Sequence, residues 1–284
     1  LWQSVGQIIC AVPLLNKTLR EEKKIKNQLA VSYFASHMRI YFASDLHLGT
    51  PDASTSRKRE LLFVRWLQNV CADADEIFLV GDLFDFWHEY KTVIPKGFVR
   101  LQGALAALCD NGIRVHIFTG NHDLWMRGYL QEELGAQIYY QPIEKIINDK
   151  VFLIGHGDGL GPGDKGYKRM KKIFKNPLAQ FAFRWLHPDI GLPLGSYFSK
   201  KSRYGNGQLP VETFLGEERE WLLQYCRRKL TQKHYDFFIF GHRHLPLYIP
   251  LEKSSFYINL GDWLQHNTYA VFDGEKVELK YFEP

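Results

Sequence analysis

Short apolar runs, each closed by glycine, histidine, aspartate or asparagine, recur along this chain and set its predicted architecture. Residues 39–43, 77–80, 115–119, 151–154 and 237–240 are, apart from Arg39 and His116, stretches of aliphatic, β-branched and aromatic side chains, the pattern of buried strands. Between them, residues 56–71, 96–111 and 211–231 carry apolar positions at three- and four-residue spacing, which predicts helices laid on a sheet face. In the second of these, Leu101, Leu105 and Leu108 form one stripe, and Asn111-Gly112 supplies the stop. After Gly241 the pattern changes to four short runs, 247–250, 256–260, 269–273 and 277–282, with Asp273-Gly274 as a hairpin turn. These predict a meander or second sheet. Alternation of strand and helix early, then consecutive strands late, predicts an α/β fold of two facing sheets flanked by helices.

Residues 160–207 interrupt this order. Two helix-compatible stretches, 165–174 and 178–186, are separated by Asn176-Pro177, predicting a helical hairpin inserted over the strand ends. The segment holds ten basic residues against two acidic ones, a net +8 in a chain of formal charge +5, so the remainder is net −3. Tyr167, Phe174, Phe181, Phe183, Trp185, Tyr197 and Phe198 are interleaved with those cations. Basic and aromatic together suit an anionic, partly apolar partner. Lys168, Lys171, Lys172 and Arg203 are the candidate substrate contacts.

The first 37 residues differ from the rest. Residues 5–15 are apolar over the length of a signal-peptide core, but no basic stretch precedes them. Met38 reads as a natural start, so residues 1–37 are expected to be a leader or extraneous upstream segment outside the fold, with residues 38–284 as one domain. No apolar run approaches the roughly 20 residues that span a bilayer. Cys10, Cys71, Cys109 and Cys226 are scattered without CxxC spacing, which suits a reducing cytoplasm rather than a disulfide framework.

The chemistry lies where the predicted strands end. Asp45-Leu46-His47, Gly81-Asp82, Gly120-Asn121-His122-Asp123, Gly155-His156-Gly157-Asp158 and Gly241-His242-Arg243-His244 follow the five apolar runs in order. Asp45 and His47, two residues apart on extended chain, can grip one metal. The two oxygens of Asp82 can bridge two cations, Asn121 offers an amide oxygen, and His156, His242 and His244 offer ring nitrogens. Mixed oxygen and nitrogen donors without thiolate suit Mn²⁺, Fe or Zn²⁺ better than Cu(I). Two such cations would lower the pKa of a bridging water and hold phosphate oxygens for in-line attack by hydroxide. His122 would face the scissile phosphate as acid or charge stabiliser, with Asp123 orienting it. Each motif alone is an ordinary turn; their joint order carries the reading. Asp85, His88 and Asp158 are expected to pack or to orient neighbours, and His116, His187, His234 and His266 to be structural.

This motif set resembles the calcineurin-like metallophosphoesterase superfamily from Met38 to about Phe282. The resemblance implies a sandwich of two mixed β-sheets with Asp45, His47, Asp82 and His244 on one metal, Asp82, Asn121, His156 and His242 on the other, and His122 and Asp123 as the catalytic pair. Residues 42–49, 81–87 and 156–159, the last leading into Gly166-Tyr167, resemble the UDP-2,3-diacylglucosamine pyrophosphatases of lipid A biosynthesis, in the form found in Bacteroidetes. That resemblance implies two Mn²⁺ ions, attack on the α-phosphorus, and release of UMP and 2,3-diacylglucosamine 1-phosphate. It also implies an acyl-binding cap at the insertion and peripheral attachment to the cytoplasmic face of the inner membrane, with no obligate protein partner. The chain departs from enterobacterial members, which carry arginine where it has His122. A second enzymatic reading is a phosphodiesterase or nuclease whose basic insertion tracks nucleic-acid phosphates. A non-catalytic module would not need the intact ligand set.

Overall fold

The computed structural model describes residues 38–162, 165–203 and 213–283. The expected leader at 1–37 and the side chain of Arg203 lie outside the described residues. Eleven strands among these residues form two sheets. The first has the order β11-β10-β1-β2-β3-β4 and the second β5-β6-β7-β9-β8. β1 (Ile40–Ala43), β2 (Glu76–Val80) and β3 (Arg114–Phe118) run parallel at the centre of the first sheet. β6 (Lys150–Gly155), β7 (Phe237–Phe240) and β9 (Phe256–Leu260) run parallel in the second.

Strand alternation divides the core into layers. Ile40, Phe42, Phe78, Val80 and Phe118 from the first sheet meet Phe152, Ile154, Phe237 and Ile239 from the second. Their neighbours Tyr41, Ala43, Ile77 and Leu79 face the other way, onto α1 (Ala53–Val70) and α2 (Val99–Asp110). Leu153, Phe238 and Phe240 bury against Leu222, Leu223 and Cys226 of α7 (Trp221–Leu230). This is why those strands read as continuous apolar runs: both faces are covered. Each fully buried phenylalanine contributes roughly 1.5–3 kcal/mol.

The first two helices obey their sequence signals, whereas of the predicted stretch 211–231 the described residues 213–220 are coil and a 3-10 turn, and only Trp221–Leu230 is α-helix. Asp52 caps α1, its side chain accepting from the Ser54 and Thr55 amides, and Leu101, Leu105 and Leu108 are the buried stripe of α2. The late strands depart from the predicted meander. β8 (Pro246–Pro250) and β9 form a hairpin in the second sheet, whereas β10 (Thr268–Phe272) and β11 (Val277–Tyr281) return to the first, β10 antiparallel to β1. A short helix α3 (Tyr129–Leu134) and strands β4 (Gln137–Tyr139) and β5 (Ile143–Ile147) were not marked by periodicity, being short and only partly buried.

A polar clamp ties the sheets together at the end away from the ligand motifs. The buried Glu76 carboxylate accepts from His116 Nε2 at 2.8 Å and Arg114 at 2.7 Å on β3, and from Lys145 on β5 of the other sheet. Burial pushes the Glu76 carboxyl up, but those hydrogen bonds outweigh it and hold it at about 2.

Between β6 and β7 lies a helical insertion of three helices rather than two: α4 (Lys165–Phe174), α5 (Pro177–Arg184) and α6 (Pro188–Arg203). Asn176 caps α5 with Pro177 in its first turn, as the Asn-Pro pair implied. The third helix was hidden by Pro193 and by glycines at 191 and 195, poor helix formers that packing overrides. No described helix is long and apolar enough to cross a membrane.

Candidate metal centre

All seven expected ligands converge at one edge of the sandwich, just past the ends of β1, β2, β3, β6 and β7. Ligand atoms of Asp45, His47 and His244 lie within 4.8 Å of one another, as do those of His47, Asp82 and His122, and those of Asp82, His156 and His242. Asp82 stands between the groups: Oδ2 is 3.5 Å from His47 Nε2 and 3.3 Å from His156 Nε2. Asn121 joins through Oδ1, 3.2 Å from His156 Nε2.

The backbone is bent to achieve this. Asp45, His47, Asp82, His242 and His244 all have left-handed φ, between 45° and 69°. Such conformations cost non-glycine residues on the order of 1–3 kcal/mol each and persist where surrounding bonds over-determine them. Here the His47 amide donates to Asp82 O at 2.9 Å, the Asp45 amide to Gly81 O at 3.1 Å, and the His242 amide to Asp45 Oδ2 at 2.9 Å. Glycine is sterically required at 81, 120 and 241: a Cβ on Gly81 would fall 2.5 Å from His156 Nδ1, one on Gly120 would overlap the Asp82 carboxylate, and one on Gly241 would fall 2.5 Å from Asp45 Oδ2.

The donor atoms fit cations. His156 Nδ1 donates to Val80 O at 2.9 Å, which turns the Nε2 lone pair toward Asp82 Oδ2 and Asn121 Oδ1. Without a cation a proton must separate these three electron-rich atoms. Burial disfavours a charged His156, yet the Asp82 carboxylate raises its pKa to about 10. In the other group, Asp45 Oδ1 is buried with no hydrogen-bond partner, 3.5 Å from His47 Nε2 and 3.3 Å from His244 Nε2, nitrogens themselves 3.2 Å apart. Burial raises the Asp45 pKa, whereas Asp82, equally buried, is held well below the usual carboxylate range by His156, His122 and His47. Burial and His156 push His242 down to about 3, leaving it a neutral donor.

Supporting side chains fix the rings. Asp262 Oδ2 accepts from His244 Nδ1 at 3.1 Å, while Oδ1 accepts from the Gln265 and His266 amides at 3.0 Å and from His266 Nδ1 at 3.1 Å. Sequence reasoning missed Asp262 and set His266 aside as structural. A signal was present, because Leu260-Gly261-Asp262 repeats the strand-then-Gly-Asp form of Val80-Gly81-Asp82. Asp85 lies 3.8 Å from His47 Nδ1, close to its expected orienting place. His88 is fully buried among the rings of Tyr90, Trp125 and Phe183, and burial with Arg127 and Arg184 nearby lowers its pKa to about 4.

Asp123 holds another post than the one expected. Its Oδ2 accepts from the Leu83 amide at 2.8 Å and the Phe84 amide at 3.4 Å, and Oδ1 from the Gly120 amide at 2.7 Å, so it locks the Asp82 and Asn121 loops together. Burial and the neighbouring Asp82 raise its pKa to about 7. His122 Nδ1 meets Asp85 O at 3.1 Å and Ser199 Oγ at 2.6 Å. Among the candidate substrate contacts, Lys171 is paired with the buried Asp158 beside His156, Lys168 donates to Gly161 O, and Lys172 is exposed.

Residues 38–246 match the calcineurin-like phosphoesterase family. The chain belongs to that family. It is a metal-dependent hydrolase of the phosphoesterase type, with a candidate binuclear metal site. As a calcineurin-like phosphoesterase it is 36% identical over 256 residues to a UDP-2,3-diacylglucosamine hydrolase of Porphyromonas gingivalis, covering 86% of this chain and 98% of that one. A UDP-2,3-diacylglucosamine hydrolase of Edwardsiella ictaluri is 27% identical over 248 residues, 85% of this chain and 91% of its own. A solved archaeal phosphodiesterase matches 86% of this chain and 100% of its own, at 13% identity and a TM-score of 0.44.

Proposed function

We propose that this phosphoesterase hydrolyses the pyrophosphate of UDP-2,3-diacylglucosamine, releasing UMP and 2,3-diacylglucosamine 1-phosphate. The observation that carries the reading is the 36% identity, sustained over 86% of the chain, to a relative named for that substrate. The insertion supports it: Leu178 and Trp185 are each 78% exposed, with Phe181, Ile190, Tyr197 and Phe198 also exposed among the basic residues. Apolar surface of this kind suits acyl chains and a lipid–water boundary. Residues 38–284 act as one catalytic domain, with residues 160–207 as its cap, working peripherally on the cytoplasmic face of the inner membrane. A cleft of about 450 Å³ between α6 and residues 93–98, bordered by Leu48, Gly49, Asp85 and Phe86, offers room beside the site.

Asp45, His47, Asp82 and His244 would hold one divalent ion, and Asp82, Asn121, His156 and His242 the other, with Mn²⁺ favoured over Fe and Zn²⁺. When bound, the pair supplies Lewis acidity and an activated water. The chain's own residues do the rest. Asp82 sets the spacing of the two groups, Asp262 and Val80 O aim the His244 and His156 rings, and Asp123 fixes the loops that carry Asp82 and Asn121. His122 faces the phosphate and gives a proton to, or offsets charge on, the departing phosphate oxygen. Lys168, Lys171, Lys172 and Arg203 contribute positive charge around the lipid phosphate.

Incubating Mn²⁺-loaded protein with UDP-2,3-diacylglucosamine in ¹⁸O-water, followed by mass spectrometry, tests the proposal. Label in UMP, with unlabelled lipid monophosphate, is the expected result. No turnover of this lipid beside brisk, salt-sensitive hydrolysis of nucleic acid would replace it with the nuclease reading.

A further inference from the structure

The insertion touches His122 through a side chain of α6. Gly191, Gly195 and Ser199 recur at four-residue spacing along α6 and therefore share a face. That face lies against the residues following Asp82. A Cβ on Gly191 would overlap Tyr90 Oη, and one on Gly195 would overlap the Phe86 ring, so α6 packs on this segment at the closest approach its backbone allows. The third position of the stripe is a serine, and its Oγ lies 2.6 Å from His122 Nδ1.

The hydroxyl has a defined polarity. Ser199 Oγ–H donates to the Asp85 main-chain oxygen, with Asp85 Oδ2 also 3.0 Å away, so His122 Nδ1–H faces two acceptors, Ser199 Oγ at 2.6 Å and the Asp85 main-chain oxygen at 3.1 Å. This arrangement selects the tautomer and plane of the imidazole, the task expected of Asp123, whose oxygens are instead engaged by the Leu83, Phe84 and Gly120 amides. We propose that Ser199 is a positioning residue for His122: the insertion supplies the group that orients the catalytic imidazole, and the imidazole is set for reaction when α6 is seated on residues 85–90. The inference rests on the catalytic reading of His122 given above. It makes the cap part of the reaction centre as well as a lipid-facing surface, and explains why glycines precede the serine on this face.

A double-mutant cycle tests it, read as kcat and KM for Mn²⁺-dependent hydrolysis of bis-p-nitrophenyl phosphate, a soluble diester that makes no demand on acyl contacts. Metal content and melting temperature are recorded for each variant. Ser199→Ala should lower kcat about tenfold with KM little changed, the scale of one lost hydrogen bond, and should have no further effect in a His122→Ala background. Gly195→Ala, which must displace α6 from Phe86, should give a kcat loss that likewise vanishes without His122. Equal losses with and without His122, or no loss in the parent protein, would overturn the positioning role. If His122→Ala itself leaves kcat unchanged, the catalytic reading of His122 fails, a result distinct from additivity of the two substitutions.

Discussion

Asp82 joins the two ligand groups, and the most direct residue-scale test is its removal. Its carboxylate lies between His47 and His156 and also accepts from the His122 amide at 2.9 Å. Asp82→Ala should abolish metal-dependent turnover and reduce bound metal below two equivalents per chain by elemental analysis. Substantial turnover in the variant would rule out the binuclear assignment. Asp262 provides a subtler test. It touches His244 but offers no atom to the ligand groups, and such ring-orienting carboxylates typically account for 10- to 100-fold in metal affinity. Asp262→Ala should weaken Mn²⁺ binding by about that factor in competition with a fluorescent chelator. Unchanged affinity would reduce Asp262 to a turn-former holding Gln265 and His266. The candidate ligands were legible because each belongs to a short motif at a strand end. Asp262 was passed over because the Gly-Asp pair preceding it in type, Gly81-Asp82, was read only in company with histidine motifs.

At the scale of elements, the clamp around Glu76 joins β2 and β3 to β5 across the two sheets. Its carboxyl is held at about 2 in the folded chain, against an ordinary value near 4.5. A depressed folded pKa means that the stabilisation is fully present above pH 4.5 and is lost as pH falls toward 2, amounting to roughly 3 kcal/mol by linkage. Urea unfolding of the parent chain and Glu76→Gln should therefore differ most near pH 7 and converge between pH 4.5 and 2. A gap that does not shrink over that window would show that the clamp acts through packing instead of charge. None of this could be read along the chain, since Glu76 stands at the start of an apolar run and its partners arrive from residues 38, 40 and 69 positions away. The third insertion helix was hidden for a related reason: Gly191, Pro193 and Gly195 oppose helix locally, and the fit of glycines against Tyr90 and Phe86 compensates.

For the whole molecule, the proposed division of labour sets a buried hydrolytic edge against a cap with exposed apolar side chains. α5 buries no residue, whereas the site residues Asp45, His47, Asp82 and His156 are almost wholly enclosed. Leu178→Asp combined with Trp185→Asp should weaken flotation with anionic lipid vesicles and raise KM for the lipid substrate several-fold. Hydrolysis of a soluble diester by the same variant should stay within about twofold of the parent. Parallel loss on both substrates would mean that these side chains serve the fold or the reaction centre, not the lipid boundary. Lys171 is a poor choice for such a test, because its pairing with Asp158 ties α4 to the His156 loop.

By itself the sequence determined the reaction class, and it marked seven candidate ligands and the strands that carry them. Burial on both faces writes continuous apolar runs, and a ligand set at strand ends follows each run within a few residues; both are local properties. Tertiary structure decided everything that depends on segments meeting from afar. β10 and β11 left the late strands to rejoin the first sheet, because β1 has an open edge that β10 covers in antiparallel register. Asp123 turned to backbone amides 40 positions back, and Ser199 met His122 across 77 positions. A hydrogen bond of that kind leaves no periodicity in the chain, since it requires two surfaces to be packed before either residue has its partner.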